Sequence, residues 1–406
     1  YMAHGYAQST GKVGAFAVVP GPGVLNTTAA LSTSLAANVP VLCVTGQIPS
    51  AYIGRGHGML HEIPDQLSIL QGLTKWAARI DHPTDAPGKV GEAFRQLRTG
   101  RPQPVAIEMP LDQLAQKANV DLQDAVSDHT RPPVDEDALI KAAELLAGAK
   151  APMIFVGSGA VNCGEAVQAL AEILQAPVIA NRTGRGVVSD RHYLSMTHLA
   201  GHHLWPDADV VLAIGTRLQQ PRMNWGTDDK LKIIHVDIDP VEIKRTDTPD
   251  VAMVGDAQDI VPALLEAVGK IAPARASRKD ELLAVQAGVH DMLLDRLGPQ
   301  MSWIKVIREG LDDDGIFVDE LTQVGYVSRI AMPIYQPRTF LTSAYQGTLG
   351  SGLATAIGAK IANPERQVLS INGDGGFMYN VQELATAVKY NVAVVAIVFA
   401  DGAFGN

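Results

Sequence analysis

With 406 residues, the chain is longer than one hydrophobic core usually supports, so two or three domains are expected. Hydrophobic residues make up 47% and charged residues 19%, the balance of a folded globular protein rather than a disordered one. A formal net charge of −10 argues against nucleic-acid binding, which needs a basic face to neutralise phosphates. No apolar run reaches the roughly 18 residues of a membrane span, and no basic segment followed by an apolar stretch marks a signal peptide. Cys43 and Cys163 lie far apart and outside any CxxC pair, which supports neither a disulfide framework nor a zinc site. A reducing cytoplasm is the expected compartment.

In chain order, Tyr1 to Ala7 reads as the middle of a helix. Short apolar strands then follow at Ala15–Val19, Val39–Thr45 and Pro104–Met109, each flanked by Gly or Pro. The polar stretch from Asp128 to Pro133 reads as a linker. A second block opens with a helix over 135–149, carries strands at 153–156, 178–180, 210–214 and 233–238, and closes with a helix near 260–268. A charged, Ala-rich passage around 272–279 leads to an amphipathic helix and a third block, with strands at 316–318, 340–342, 368–371 and 394–399. This alternation of strands and helices is the pattern of parallel βαβ architecture. Asn406 follows directly on a strand-turn, so a chain cut short at both ends is expected.

The third block carries the sharpest chemical signal. Gly373-Asp374-Gly375-Gly376 follows an apolar strand and precedes a helix over 380–387; a second strand then delivers Asp401 in a turn, 401 − 374 = 27 residues later. Parallel strands ending on one sheet edge present their ligands there. Glycines let the backbone approach phosphate oxygens, and helix N–H groups favour anions. One carboxylate from each strand end suits Mg²⁺, which takes few protein oxygens and completes its shell with phosphate. A Gly-Asp-Gly triplet alone is an ordinary turn; the strand, triplet, helix, strand and second acidic turn together are specific.

This segment resembles the diphosphate-binding motif of thiamine-diphosphate enzymes, and the chain as a whole is similar to acetolactate synthase large subunits. The resemblance implies an α/β fold of three doubly wound parallel-sheet domains: a pyrimidine-binding domain at 1–127, a central domain at 134–270 and a diphosphate-binding domain at 296–406, the first and last incomplete. It implies Mg²⁺ held by Asp374, Asp401 and the carbonyl of Ala403, with cofactor contacts from Gly373, Gly375, Gly376 and Phe404. Many family members have Asn-Asn where this chain has Ala400-Asp401, which adds one negative charge to the site.

Other segments fit the same resemblance. Gly347-Thr348-Leu349-Gly350-Ser351-Gly352 is similar to the family's GTMGFG-type segment, in which a bulky residue, here Leu349, sits beneath the cofactor; read alone, Leu349 is plain core. Thr322 and Gln323 match positions near the diphosphate, and a simple polar turn fits them nearly as well. Pro20-Gly21-Pro22-Gly23 with Asn26 matches a GPG-x-x-N signature near the aminopyrimidine. Gly46-Gln47 matches a turn facing the active site. Leu60-His61-Glu62 stands where acetolactate synthases carry Phe-Gln-Glu. His61 is thus a candidate proton donor or substrate contact, and equally a solvated loop histidine. The family's cofactor-activating glutamate falls a few residues ahead of Tyr1.

Gly157-Ser158-Gly159 in the central block is a lone GxG, for which a structural turn is the stronger reading and FAD the weaker. His198, His202 and His203 lack carboxylates at ligand spacing and read as loop residues. The implied activity is decarboxylation of a small 2-oxo acid with transfer of the acyl unit to a second carbonyl. A 2-oxo acid decarboxylase is the rival, and a non-catalytic nucleotide-binding homologue the rival of another class. A homodimer or homotetramer is implied.

Overall fold

The computed structural model describes residues 1–124 and 131–402. Its strands form three parallel sheets of four, six and four strands, interleaved with helices. Contacts divide the chain into two compact units, residues 1–130 with 343–406 and residues 131–342. The boundary at 343 falls inside the stretch that the sequence reads as one diphosphate-binding domain, and 125–130 of the expected linker lie outside the described residues.

In the first unit, β1 (Gly14–Val18), β2 (Val41–Gln47), β3 (Trp76–Arg79) and β4 (Val105–Pro110) lie in the order β1-β2-β4-β3. Because every pairing is parallel, the C-terminal ends share one rim: Val18 pairs Thr45, Thr45 pairs Glu108, and Arg79 pairs Glu108. Val24, Leu31, Cys43, Leu70, Ala77 and Ala106 form one apolar cluster under this sheet. The Met2–Thr10 helix packs on the Gly352–Ala362 helix through glycine. A Cβ at Gly5 would stand 2.0 Å from the Thr355 carbonyl oxygen, and one at Gly358 1.9 Å from that of Met2.

The second unit holds β5 (Pro152–Val156), β6 (Val178–Ala180), β7 (Ser195–Met196), β8 (Val210–Ile214), β9 (Lys232–Asp237) and β10 (Val251–Val254), in the order β10-β9-β8-β5-β6-β7. Its central strands β5 and β8 are buried at every position, as an all-parallel sheet covered on both faces requires. The same unit carries β11 (Ile316–Val318) paired with β12 (Phe340–Leu341). In the first unit, β13 (Val368–Gly373) pairs with β14 (Val395–Phe399).

Two expectations are corrected here. The histidines at 198, 202 and 203 are not loop residues but lie on the His198–Leu204 helix, capped by Thr197. His198 and His202 pack against Trp225, with ring centroids 4.5 and 5.0 Å away, and Trp225 in turn meets Phe155 and Trp205. The helix after the Gly-Asp-Gly triplet does not wait until residue 380. It begins at Asp374 itself, runs to Met378, and a separate helix covers Glu383–Lys389.

Packing against these rings has a consequence for pH. Burial, helped by the charges of His202 and Arg182, lowers the His198 pKa from 6.5 to about 4. The fold therefore prefers neutral His198, and that preference is fully present above pH 6.5 and is lost as pH falls through 4. We expect the melting temperature to drop between pH 6.5 and 4, and His198→Phe to flatten part of that slope. An unchanged slope in the variant would remove His198 from the account.

Among the described residues, no helix is long and apolar enough to cross a membrane.

Candidate functional site

The diphosphate-type rim is built by β13 and β14. Their register pairs Gly373 with Phe399, so Asp374 is the first residue past one strand and Asp401 the second past Phe399 on its neighbour. Parallel neighbours about 4.8 Å apart thus bring both acidic residues to the same rim. Asp374 is half-buried and opens its helix, and its Oδ1 accepts the N–H of Gly375 at 2.8 Å. Asp401 is exposed. Ala403 and Phe404 lie outside the described residues.

The 347–352 segment closes on this rim. Gly350 adopts φ 78°, and a Cβ there would meet Tyr379 Cβ at 2.6 Å and the Gly376 carbonyl oxygen at 3.2 Å. Only glycine allows so close an approach. Asn380 Nδ2 donates to the Gly350 carbonyl at 2.5 Å, tying the segment to the turn after the first helix. Thr348 and Thr33 share a hydrogen bond at 3.0 Å. Leu349 is 43% exposed, so the plain-core reading does not hold; its side chain stands at the surface beside this rim.

These residues fit a metal diphosphate. Both acidic side chains are hard oxygen donors, and the glycine contacts keep side chains out of the turn. Two residues before Asp374, the buried Asn372 bonds its amide nitrogen to Ser370 Oγ at 3.0 Å, and its Oδ1 has no hydrogen-bond partner among the described residues. Among the described residues, no group of three or more His, Cys, Asp or Glu side chains comes together, and a Mg²⁺ ion that takes most of its shell from diphosphate and water needs none.

A second cluster forms on the C-terminal rim of the β1–β4 sheet. Gly21 has φ 63°, and a Cβ on it would stand 2.5 Å from the His61 carbonyl oxygen, so the Pro20–Gly23 turn seats directly on His61. His61 is itself left-handed, φ 69°. The Glu62 carboxylate turns back into its own loop, accepting the N–H of Gly56 at 3.0 Å and of Met59 at 2.8 Å. Those loop N–H groups hold its pKa below the usual carboxylate range. Gln47 is buried, its Oε1 taken by the Ile48 N–H at 2.8 Å. Asn26 is exposed at the end of the short Pro22–Leu25 helix.

Sequence reasoning missed what joins these turns. Gln66, the first residue of the Gln66–Leu73 helix, reaches across the rim. Its Oε1 accepts the Gly21 N–H at 2.8 Å, and its Nε2 donates to the Gly46 carbonyl at 3.0 Å and to Glu108 Oε2 at 2.8 Å. Glu108 is fully buried and also accepts from Arg79 Nε at 2.6 Å. A cavity of about 200 Å³ opens beside this network, lined by Gln47, Ile48, Ile53, Ile63, Gln66 and Arg79 among others. The only advance signal is a buried-type strand, β4, carrying a carboxylate in its middle.

Thr322 and Gln323 belong to the second unit. Thr322 precedes the Gln323–Ala331 helix and accepts the Tyr326 N–H, while Gln323 Oε1 accepts from Gln300 Nε2 at 2.9 Å. In the same unit the Gly157–Gly159 turn is explained by packing. Cβ atoms at Gly157 and Gly159 would stand 2.2 Å from the oxygen and 2.7 Å from the Cα of Gly215, so the two turns interlock backbone to backbone.

Paired acidic strand ends beside a closely packed glycine turn give an α/β protein a rim that fits a metal diphosphate. Comparison with known proteins gives the family. Residues 1–69 match the thiamine pyrophosphate enzyme N-terminal TPP binding domain, 139–264 the central domain, and 322–406 the C-terminal TPP binding domain. The chain is 34% identical to a probable 2-ketoarginine decarboxylase, AruI, of Pseudomonas aeruginosa, covering all of this chain and 74% of that protein. It is 30% identical to acetolactate synthase isozyme 1 large subunit of Escherichia coli, covering all of this chain and 73% of the relative. A probable acetolactate synthase large subunit of Methanocaldococcus jannaschii is 32% identical, with all of this chain and 72% of the relative covered. The chain belongs to the thiamine pyrophosphate enzyme family.

Proposed function

We propose that this protein uses thiamine diphosphate and Mg²⁺ to decarboxylate a 2-oxo acid. The observation that carries this is the β13–β14 register, which sets Asp374 and Asp401 on one rim. When bound, thiamine diphosphate supplies the nucleophilic carbon and electron sink that loss of CO₂ from a 2-oxo acid requires. The chain's own residues bind and orient. Asp374 and Asp401 hold the metal, with the Ala403 carbonyl assigned to it by resemblance alone. The start of the Asp374–Met378 helix would favour the negative charge of a diphosphate bound there. Leu349 supports the rings, and Asn26 and Gln47 stand on the pyrimidine side.

Two fates are open to the acyl unit, and release as an aldehyde is the one we favour. Leu60-His61-Glu62 stands where acetolactate synthases carry Phe-Gln-Glu, so Leu60 and His61 depart from their pattern while the glutamate is kept. The 2-ketoarginine decarboxylase among the relatives points the same way. Transfer to a second 2-oxo acid is the second reading, supported by the acetolactate synthases at 30% and 32% identity. In the family this chain resembles, the active site forms between two subunits, so we infer a homodimer or dimer of dimers.

The test is product analysis with the full-length protein, thiamine diphosphate and Mg²⁺, on pyruvate, branched 2-oxo acids and 2-ketoarginine. CO₂ with a stoichiometric aldehyde is the expected result. Acetolactate or another carboligation product selects the second reading, and no CO₂ from any of the acids refutes both.

A further inference from the structure

We propose that Gln66 and Glu108 are positioning residues for the cofactor's pyrimidine side, a role that rests on the reading of this chain as a thiamine-diphosphate enzyme. Gln66 is 1% exposed and Glu108 0%. A buried carboxylate and a buried amide are costly to keep unless their hydrogen bonds are made, and here each is made to a specific partner.

The partners are what distinguish this network from ordinary core polarity. Gln66 uses its oxygen on the Gly21 N–H and its nitrogen on the Gly46 carbonyl, so one amide group spans two turns that leave neighbouring strands. Both turns depend on it in different ways. Gly21 is held at φ 63° with His61 against it, leaving it no room for a side chain, and Gly46 precedes Gln47 at the end of β2. Glu108 fixes which way the amide faces. Its Oε2 accepts from Gln66 Nε2 at 2.8 Å, and its Oε1 from Arg79 Nε at 2.6 Å. A flipped Gln66 would set its oxygen against the carboxylate and its NH₂ against the Gly21 N–H. The Arg79–Glu108 pair thus selects one amide orientation, and that orientation sets the spacing of the Gly21 and Gly46 turns.

The test is a swap on the full-length enzyme. Gln66→Glu places two carboxylates within hydrogen-bond distance and removes the donor to Gly46. We expect it to raise the thiamine diphosphate concentration needed for half-maximal activity at least tenfold and to lower kcat. The double variant Gln66→Glu/Glu108→Gln restores a donor–acceptor pair between the two positions but still leaves the Gly46 carbonyl without its donor, so cofactor affinity should stay low. Gln66→Met, equal in size and without hydrogen bonds, should stay folded and show the same loss without rescue by Glu108→Gln. Melting temperature and circular dichroism are measured on each. Parent-like cofactor dependence in folded Gln66→Met, or full recovery in the double variant, overturns the positioning role. Parent protein that fails to bind thiamine diphosphate at all overturns the underlying reading instead.

Discussion

Asp374→Ala is expected to abolish thiamine-diphosphate-dependent turnover, lowering kcat by about three orders of magnitude. That factor corresponds to ~4 kcal/mol of lost metal and charge stabilisation. The change removes a carboxylate from the first turn of a helix, not from a core, so the fold should survive. Cofactor present at a hundredfold its dissociation constant stabilises a native protein by about 2.7 kcal/mol. The parent should therefore melt several degrees higher with thiamine diphosphate and Mg²⁺, and Asp374→Ala should show no such shift. Asp401→Asn is a contrasting case. Its amide oxygen still suits Mg²⁺, and the change removes one negative charge from the neighbourhood of the diphosphate, so cofactor affinity should hold or tighten. A severe loss in Asp401→Asn would mean that the extra charge is needed.

Gly358→Val is expected to have the largest effect on stability. A Cβ at 358 would lie 1.9 Å from a backbone oxygen of the Met2–Thr10 helix, which cannot rotate away as a side chain could. Separating the two helices to ordinary contact distance also disturbs the reciprocal fit at Gly5, where the clearance is 2.0 Å. Overpacking a core usually costs about 1–3 kcal/mol, and a backbone clash on both helices belongs at or above the top of that range. Gly288→Ala is the control. Nothing lies within 4 Å of a Cβ there, and the residue is inside a helix, so about 0.5–1 kcal/mol of stabilisation is expected. Thermal unfolding of both variants checks the pair; equal melting temperatures would contradict the close-packed interface.

Much of this architecture was legible in the residues because buried parallel strands leave an unbroken apolar run. Val178–Ala180, Val210–Ile214 and Ile316–Val318 stand where the sequence puts them. Three strands were not foreseen, for physical reasons. Trp76–Arg79 reads Trp-Ala-Ala-Arg, with no β-branched residue, and Ser195–Met196 is two residues long. Val251–Val254 is an edge strand with alternate positions exposed, and it follows a polar turn that hides it. The Gly-Asp-Gly motif was legible because it sits between an apolar strand and a helix, with a second strand and acidic turn at fixed spacing. Gln66 was not, because its partners stand 45, 20 and 42 residues away, and a glutamine opening a helix is unremarkable by itself. Whether Leu349 was core or surface depended on what covers it, which no local pattern encodes.

The most direct measurement is calorimetric titration of the full-length protein with thiamine diphosphate, once in Mg²⁺ and once in EDTA, repeated on Asp374→Ala. Saturable binding in Mg²⁺ that disappears in EDTA and in the variant is the predicted result. Equally tight binding without the metal, or in the absence of the Asp374 carboxylate, would contradict the assignment of the β13–β14 rim as the metal-diphosphate site.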